Sequence, residues 1–332
     1  MAIQSPSKSR MPVCSIIIRA YNEEQHIGRL LEGICQQSVK DVQVILVDSG
    51  STDATMEVAA HYGAEVAQIA PQDFTFGRSL NLGISHAKAE KLVMASAHVY
   101  PVYPDWLERL LDPFKDPKVA LTYGKQRGAA ESQFSEQEIF RHWYPDRTEL
   151  HQTHPFCNNA NATIRRELWE QHPYNENLPA LEDLAWARWA HDQGWAIAYV
   201  AEAEVVHVHH ETRKGITNRY RREGMAFKQM YPQENFHQWD LVRLWVSNVA
   251  SDWHAAAETS ALSAYWWKIM RFRWMQFLGT YQGYHQSGTL TWKLKQAFYY
   301  PHVPAPSSAV KQRAVKPIQY TQSNPSETNR HS

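Results

Sequence analysis

The side chains able to do chemistry in this 332-residue chain fall into four groups. Two adjacent carboxylates, Glu182 and Asp183, stand where a helical pattern begins. Such a pair can take a proton from a substrate hydroxyl, or it can simply offset the helix dipole. His98 follows one apolar run, and His207, His209 and His210 close another. Imidazole is a good ligand for Mn²⁺ and other transition metals, and strand alternation points His207 and His209 to one face. His98 can therefore pair with His207 or His209 around a cation; the plainer reading is a polar strand end. Asp48 and the set Ala20, Tyr21, Asn22 and Glu23 stand at the ends of two further apolar runs, where a ligand would lie. Asp48, with Ser51 and Asp53 in the same turn, also suits an Asx-turn or a helix cap, and Asp53 reads as a cap. Arg78 opens a helix in FGRSLNLG, where it can meet an anion at the helix N-terminus or form a surface ion pair. The basic run Arg213, Lys214, Arg219, Arg221 and Arg222 suits a phosphorylated partner or a solvated helix face.

These residues need a frame that brings strand ends together. Val13–Ile18 and Val42–Val47 are continuous apolar runs, as in parallel strands covered on both faces. Helical spacing of Ile27, Leu30, Leu31 and Ile34 joins them, with Asn22-Glu23-Glu24 as the helix opening. A second helix with Met56, Val58, Ala59 and Tyr62, a strand at Glu65–Ile69, a helix over Ser79–Ala87 and a strand at Lys91–Ala95 continue the alternation. The expected fold is α/β, with a doubly wound, mainly parallel sheet flanked by helices. Ligands of such sheets sit beyond the carboxyl ends of the strands. Further on the pattern predicts a Pro-rich turn at Tyr100–Pro104, a helix over Asp105–Phe114 and strands at Val119–Gly124 and Asn158–Ile164. A helix over Leu184–Gln193 and strands at Trp195–Val200 and Glu204–Val208 follow. Residues 126–155 read as an acceptor-side loop or lid with no site. Beyond Glu211 come helices rich in tryptophan, tyrosine and arginine, for which core packing, a peripheral membrane contact and an oligomer interface are the three readings. The expected divisions are a disordered leader (1–11), a main domain (12–211), a helical C-terminal extension (212–300) and a disordered tail (301–332).

Taken together, SIIIRAYNEEQHIGRLLEGI, VDSGSTDAT, FGRSLNLGI, the Glu182-Asp183 pair and a late histidine resemble the family 2 inverting glycosyltransferases of GT-A fold, over about Val13 to His210. The resemblance implies transfer of a sugar from a nucleotide diphospho-sugar to a hydroxyl of a glycan or lipid-linked acceptor, with inversion. It implies Asp183 as base and Glu182 orienting the acceptor, with Asn159 and Trp186 beside the acceptor. On the donor side it implies Ala20, Tyr21, Asn22, Glu23, Asp48, Arg78, Ser96 and His98. One motif departs from the family. Ser96-Ala97-His98 stands where the family usually has Asp-x-Asp, whose carboxylates hold a divalent metal. Two readings follow: a Mn²⁺ or Mg²⁺ site using His98 and His209, or a metal-independent enzyme in which histidines and the basic run offset the diphosphate charge.

Composition narrows the alternatives. Lysine plus arginine and aspartate plus glutamate both number 34, so overall charge offers no case for nucleic acid. Three dispersed cysteines argue against a disulfide framework or a four-thiolate zinc site. The leader lacks an apolar h-region and no window holds the roughly 20 apolar residues of a span, so the expected location is the cytoplasm, with the inner membrane face as an extension of that reading. No GxGxxG follows the first strand, which disfavours a nicotinamide enzyme, and no organic cofactor is expected. A GT-A domain that binds nucleotide sugar or glycan without transfer is the alternative that the altered metal motif raises.

Overall fold

The computed structural model describes residues 11–130, 132–209 and 212–286. The expected leader, His210 and the expected tail lie outside these, apart from Met11. Strands β1 (Ser15–Ala20) and β2 (Gln43–Asp48) are buried almost throughout, which is what the two continuous apolar runs require. Helices α1 (Ile27–Cys35) and α2 (Thr55–His61) follow them, and β3 (Glu65–Gln68), α3 (Phe76–His86) and β4 (Lys91–Ser96) complete a parallel half. Helix α1 starts later than Asn22-Glu23-Glu24 suggests. Asn22 sits at φ 53°, in the left-handed region, so residues 22–26 form a turn before the helix.

The second half is β5 (Val99–Pro101), α4 (Trp106–Leu111), β6 (Val119–Gly128), α5 (Phe134–Trp143), β7 (Asn161–Arg165), α6 (Arg166–Gln171), α7 (Glu182–Asp192) and β8 (Ala196–His207). The eight strands among the described residues form one sheet, ordered β3-β2-β1-β4-β7-β6-β8-β5. β7 runs antiparallel to β4 and β6, β5 antiparallel to β8, and the remaining neighbours are parallel. The fold class stands as expected, a mixed, mainly parallel sheet between helices.

Several local expectations are corrected. The Pro-rich turn contains a short edge strand, β5, because Tyr100 and Pro101 lie against Val206 and Val205. Pro lacks an N–H and is tolerated on such an edge. The two late strands are one, β8, with β6 absorbing the irregularity as a register shift between Gly124 and Gln126. Residues 126–155 are not merely a loop, since β6 extends to Gly128 and α5 lies within them.

Helices α8 (Arg213–Met230), α9 (Gln238–Glu258) and α10 (Leu262–Tyr284) follow. α8 and α10 pack backbone to backbone. A Cβ on Gly279 would lie 2.4 Å from the Thr217 carbonyl oxygen, and one on Gly283 2.2 Å from that of Arg221. Overpacking of this kind costs about 1–3 kcal/mol, and backbone atoms have no rotamer by which to escape. Gly283→Val is therefore expected to lower unfolding free energy by about that amount in urea titration, whereas Gly194→Ala, beside open space, should cost only its left-handed backbone penalty.

Candidate active site

The strand ends converge on one cleft of about 650 Å³. Its first wall is the segment after β1. Tyr21, Asn22, Glu23 and Glu24 are laced to the turn after β2: the Asn22 N–H donates to Ser51 Oγ (2.9 Å), the Glu23 N–H to Thr55 Oγ1 (2.7 Å) and the Thr52 N–H to Asn22 Oδ1 (2.8 Å). Asn22 thus lines the cleft while its side-chain oxygen holds the neighbouring turn. Ala20 and Ser96 also face the cleft.

The opposite wall is the start of α7. Leu181 precedes it at φ 58°, an uncommon conformation for a branched residue, and this turn delivers Glu182 and Asp183 into the cleft. Asp183 is buried and accepts N–H groups from Asn159 (3.0 Å) and Leu184 (2.8 Å). Burial, then the adjacent Glu182 charge, raises its pKa to about 7; the two backbone N–H donors and Arg19 pull the other way. Glu182 is held by Arg19 Nη1 at 2.9 Å, and the Arg19 guanidinium lies 4.4 Å from the Phe76 ring centre. Arg222, from α8, covers the same ring at 4.7 Å. Asn159, whose side chain also accepts from the Tyr174 hydroxyl (3.2 Å), braces this acid pair from within the cleft wall.

Between the walls lie His98, His207 and His209, one ring nitrogen of each within 4.8 Å of the others. Nδ1 of each ring has an oxygen partner. Nδ1 of His98 is 2.7 Å from Glu23 Oε1, Nδ1 of His207 2.7 Å from Gln126 Oε1, and Nδ1 of His209 2.8 Å from Glu136 Oε1. The carboxylate oxygen of Glu23 accepts, so Nδ1 is the donor in His98 and Nε2 its lone-pair atom, while Nδ1 of His209 lies between Glu136 Oε1 and Arg219 Nη1, the latter 3.3 Å away. Nε2 of His98 also lies 3.1 Å from the Ser96 hydroxyl. Nε2 of His207 is buried and has no hydrogen-bond partner. Burial and the neighbouring histidines hold the His207 pKa well below its ordinary value, so this imidazole is neutral, the form that ligates metals. A three-imidazole cluster with an orphaned buried nitrogen and oxygen partners behind each ring fits a divalent transition metal.

Three expected contacts lie elsewhere. Asp48 is fully buried, and its carboxylate accepts N–H groups from Gly50 (2.9 Å) and Ser51 (3.0 Å). It is the Asx-turn that closes β2, because a strand buried to its last residue must satisfy that charge locally. Arg78 pairs with Glu176 at 2.8 Å on the outer side of α3, while Asn81 ties the same glutamate and the Tyr174 carbonyl. Trp186 is buried in the core and donates Nε1–H to the His172 carbonyl (2.7 Å). It lies one turn beyond the acids, on the side of α7 that faces the sheet. Of the basic run, Arg219 and Arg222 line the cleft, Arg213 and Lys214 are exposed, and Arg221 donates to Gln286.

The structure adds residues the sequence reading passed over: Arg19, Phe76, Gln126 and Glu136. Arg19 had a readable signal, a cation inside a buried apolar run. Glu136 had none, since its burial depends on α5 packing beneath His209 and Arg219, whose Nη2 donates to it at 2.7 Å. Metal sites that lose the hydrogen-bond acceptor behind a ligating histidine typically lose about 10–100-fold in affinity. Glu136→Gln is expected to weaken Mn²⁺ binding by that factor in calorimetric titration, with secondary structure unchanged.

Comparison with known proteins bears on the fold and on the kind of protein. Residues 15–172 match the family model of glycosyl transferase family 2. The chain is 26% identical over 219 residues to the O-antigen chain rhamnosyltransferase RfbN of Salmonella typhimurium, covering 62% of this chain and 69% of that one. It is 37% identical over 107 residues to a 4,4'-diaponeurosporenoate glycosyltransferase of Staphylococcus aureus, 30% of this chain and 28% of the other. In structure it resembles the mannosyltransferase PcManGT of Pyrobaculum calidifontis, solved with GDP-Man and Mn²⁺, at TM-score 0.55 and 18% identity, over 84% of this chain and 87% of that one. The β1-to-α6 segment is thus similar to the family 2 glycosyltransferases, and the sheet has the GT-A fold.

Proposed function

We propose that the protein transfers a sugar, with inversion, from a nucleotide diphospho-sugar to a hydroxyl of a growing glycan. The observation that carries this reading is a buried carboxylate of raised pKa, Asp183, in the same cleft as a three-histidine cluster and two arginines. In one displacement the acceptor oxygen forms a bond to the anomeric carbon from the face opposite the diphosphate. The hydroxyl proton goes to the Asp183 carboxylate, and the bond from the anomeric carbon to the phosphate oxygen breaks with its electron pair leaving on the nucleoside diphosphate. Asp183 suits this because desolvation makes its carboxylate a stronger base than an ordinary aspartate, while two N–H donors aim it. Arg19, through Glu182, and Asn159 hold that geometry.

His98, His207 and His209 are the residues that would hold a divalent cation. When bound, the cation would supply positive charge to the departing diphosphate, the role that lost carboxylates leave to the imidazoles. An all-nitrogen donor set favours Mn²⁺ and later transition metals over Mg²⁺, which prefers oxygen ligands. Arg219 and Arg222 add fixed positive charge on the same side. Tyr21, Asn22 and Glu23 offer the wall for base and ribose. The relatives named as rhamnosyltransferases of an O-antigen chain support a deoxyhexose donor and a polysaccharide or lipid-linked glycan acceptor.

The test is transfer from a panel of dTDP-, UDP- and GDP-sugars, with and without Mn²⁺, reading the anomeric configuration of the product by NMR. A product of the opposite anomeric configuration to the donor is expected, and retention of configuration would reject the single displacement. Donor binding without turnover on any acceptor would instead favour a glycan-binding domain descended from the enzyme.

A further inference from the structure

The C-terminal hairpin carries a face unrelated to the cleft. On α9, Trp239, Val242 and Val246 recur at three- and four-residue spacing, and all are exposed, Trp239 by 72%. On α10, Trp267 and Trp274 lie two turns apart and are 55% and 42% exposed. The two stripes are one surface. α9 and α10 run antiparallel, as shown by Gln238 bonding the Tyr281 hydroxyl at one end and Trp253 donating to the Trp266 carbonyl at the other, and the Trp245 and Trp274 rings meet edge to face at 5.7 Å. Exposed cations, Arg243 and Lys268, sit beside the stripes, Arg243 in an exposed ion pair with Asp240 at 3.5 Å. The charge bias reaches further along the sequence. Residues 262–326 carry eight lysines and arginines and not one aspartate or glutamate, in a chain whose totals are 34 and 34. No helix among the described residues is long and apolar enough to cross a membrane.

We infer that this face docks the protein on an anionic lipid bilayer. Tryptophan is suited to the headgroup boundary, where its ring meets acyl chain and its N–H meets water. Basic residues beside such a stripe are drawn to anionic headgroups, and α10 itself carries no acid to oppose them. A water-facing protein surface has no comparable use for several exposed indoles on one side. The glycine-mediated contact of α8 with α10 then fixes the cleft relative to the docked face, because α8 supplies Arg219 and Arg222 to the cleft. The inference stands on the hairpin alone and is independent of the reaction assigned above.

The test is co-sedimentation of the full chain with vesicles of phosphatidylglycerol mixed with phosphatidylcholine, and with pure phosphatidylcholine. Binding to the anionic vesicles is expected, weakening in high salt and with pure phosphatidylcholine. The triple variant Trp239→Ser, Trp267→Ser, Trp274→Ser should lose at least about tenfold in affinity. The double variant Arg243→Glu, Lys268→Glu should lose the preference for anionic lipid. Both should keep the wild-type circular dichroism spectrum, the substituted side chains being exposed. Absence of vesicle binding by the wild type, or equal binding by the triple variant, overturns the proposal. So does a concentration-dependent dimer that the triple variant abolishes without any vesicle binding, which would make the face a contact between two copies.

Discussion

Asp183→Asn is expected to fold and bind donor while losing transfer by about 10³-fold, the middle of the range for a positioned general base. The amide can accept one of the two N–H bonds that Asn159 and Leu184 now give, so the wall of the cleft should survive the change. What is lost is the proton acceptor. A variant with more than a tenth of wild-type turnover would remove Asp183 from that role. The wild type should also show an acid limb in kcat/KM near pH 7, reflecting the raised pKa of about 7, rather than near 4 as for an exposed aspartate. The linkage to stability has the opposite sense. Since the folded pKa lies above the unfolded one, the folded state binds the proton more tightly, and stability is lost as pH rises from about 4 through 7. Asp183→Asn removes that dependence, so above pH 7 its unfolding midpoint should equal or exceed that of the wild type. Differential scanning calorimetry at pH 5 and pH 8 reads this directly.

His207→Ala is expected to reduce Mn²⁺ affinity by at least about 100-fold, because it removes one of three ligands whose donor atoms already lie within 4.8 Å of one another. The prediction separates the two readings of the altered Asp-x-Asp motif. If the histidines serve only as fixed positive or polar groups for the diphosphate, wild-type protein will show no saturable Mn²⁺ binding by electron paramagnetic resonance, and His207→Ala will behave like wild type. If they hold a cation, the wild type will bind Mn²⁺ more tightly than Mg²⁺ and the variant will lose that binding. Chelator treatment should then lower donor affinity in the wild type and leave the variant unaffected. His207 is the informative position because its ring is the most buried of the three and its Nε2 has no hydrogen-bond partner, so the substitution breaks no hydrogen bond at that atom. Gln126, which faces its Nδ1, would lose a partner as well, and Gln126→Leu paired with His207→Ala tests whether that loss contributes to any fall in stability.

The division between what local sequence carries and what packing adds is clear at individual residues. The apolar runs of β1 and β2, the helical spacing of Ile27, Leu30, Leu31 and Ile34, and the acids at the start of α7 are local patterns, so the sheet, its winding and the cleft at the strand ends were legible in advance. His98, His207 and His209 could be nominated from residue type and strand alternation. Their convergence could not, because it depends on β5 pairing with β8, which sets His207 opposite Val99 beside His98. Asp48 and Arg78 are positions where the sequence left two readings open. Both occupy positions where a ligand contact is chemically reasonable, and both are taken up by nearer partners, backbone N–H groups for Asp48 and Glu176 for Arg78. Trp186 turned inward because helical periodicity sets it on the buried side of α7, a distinction of one turn from Asp183.

By itself, then, the sequence determined the fold class and the chemical types present at each strand end, since hydrophobic period and turn chemistry are properties of neighbouring residues. Only the tertiary structure decided which of those side chains face one another: that Glu136, 73 residues from His209, lies behind its imidazole, that Arg19 restrains Glu182, 163 residues away, and that three histidines share one centre. Such pairings depend on distances between elements far apart in the chain, and those distances arise from how the sheet orders its strands and how closely α8 and α10 approach through their glycines.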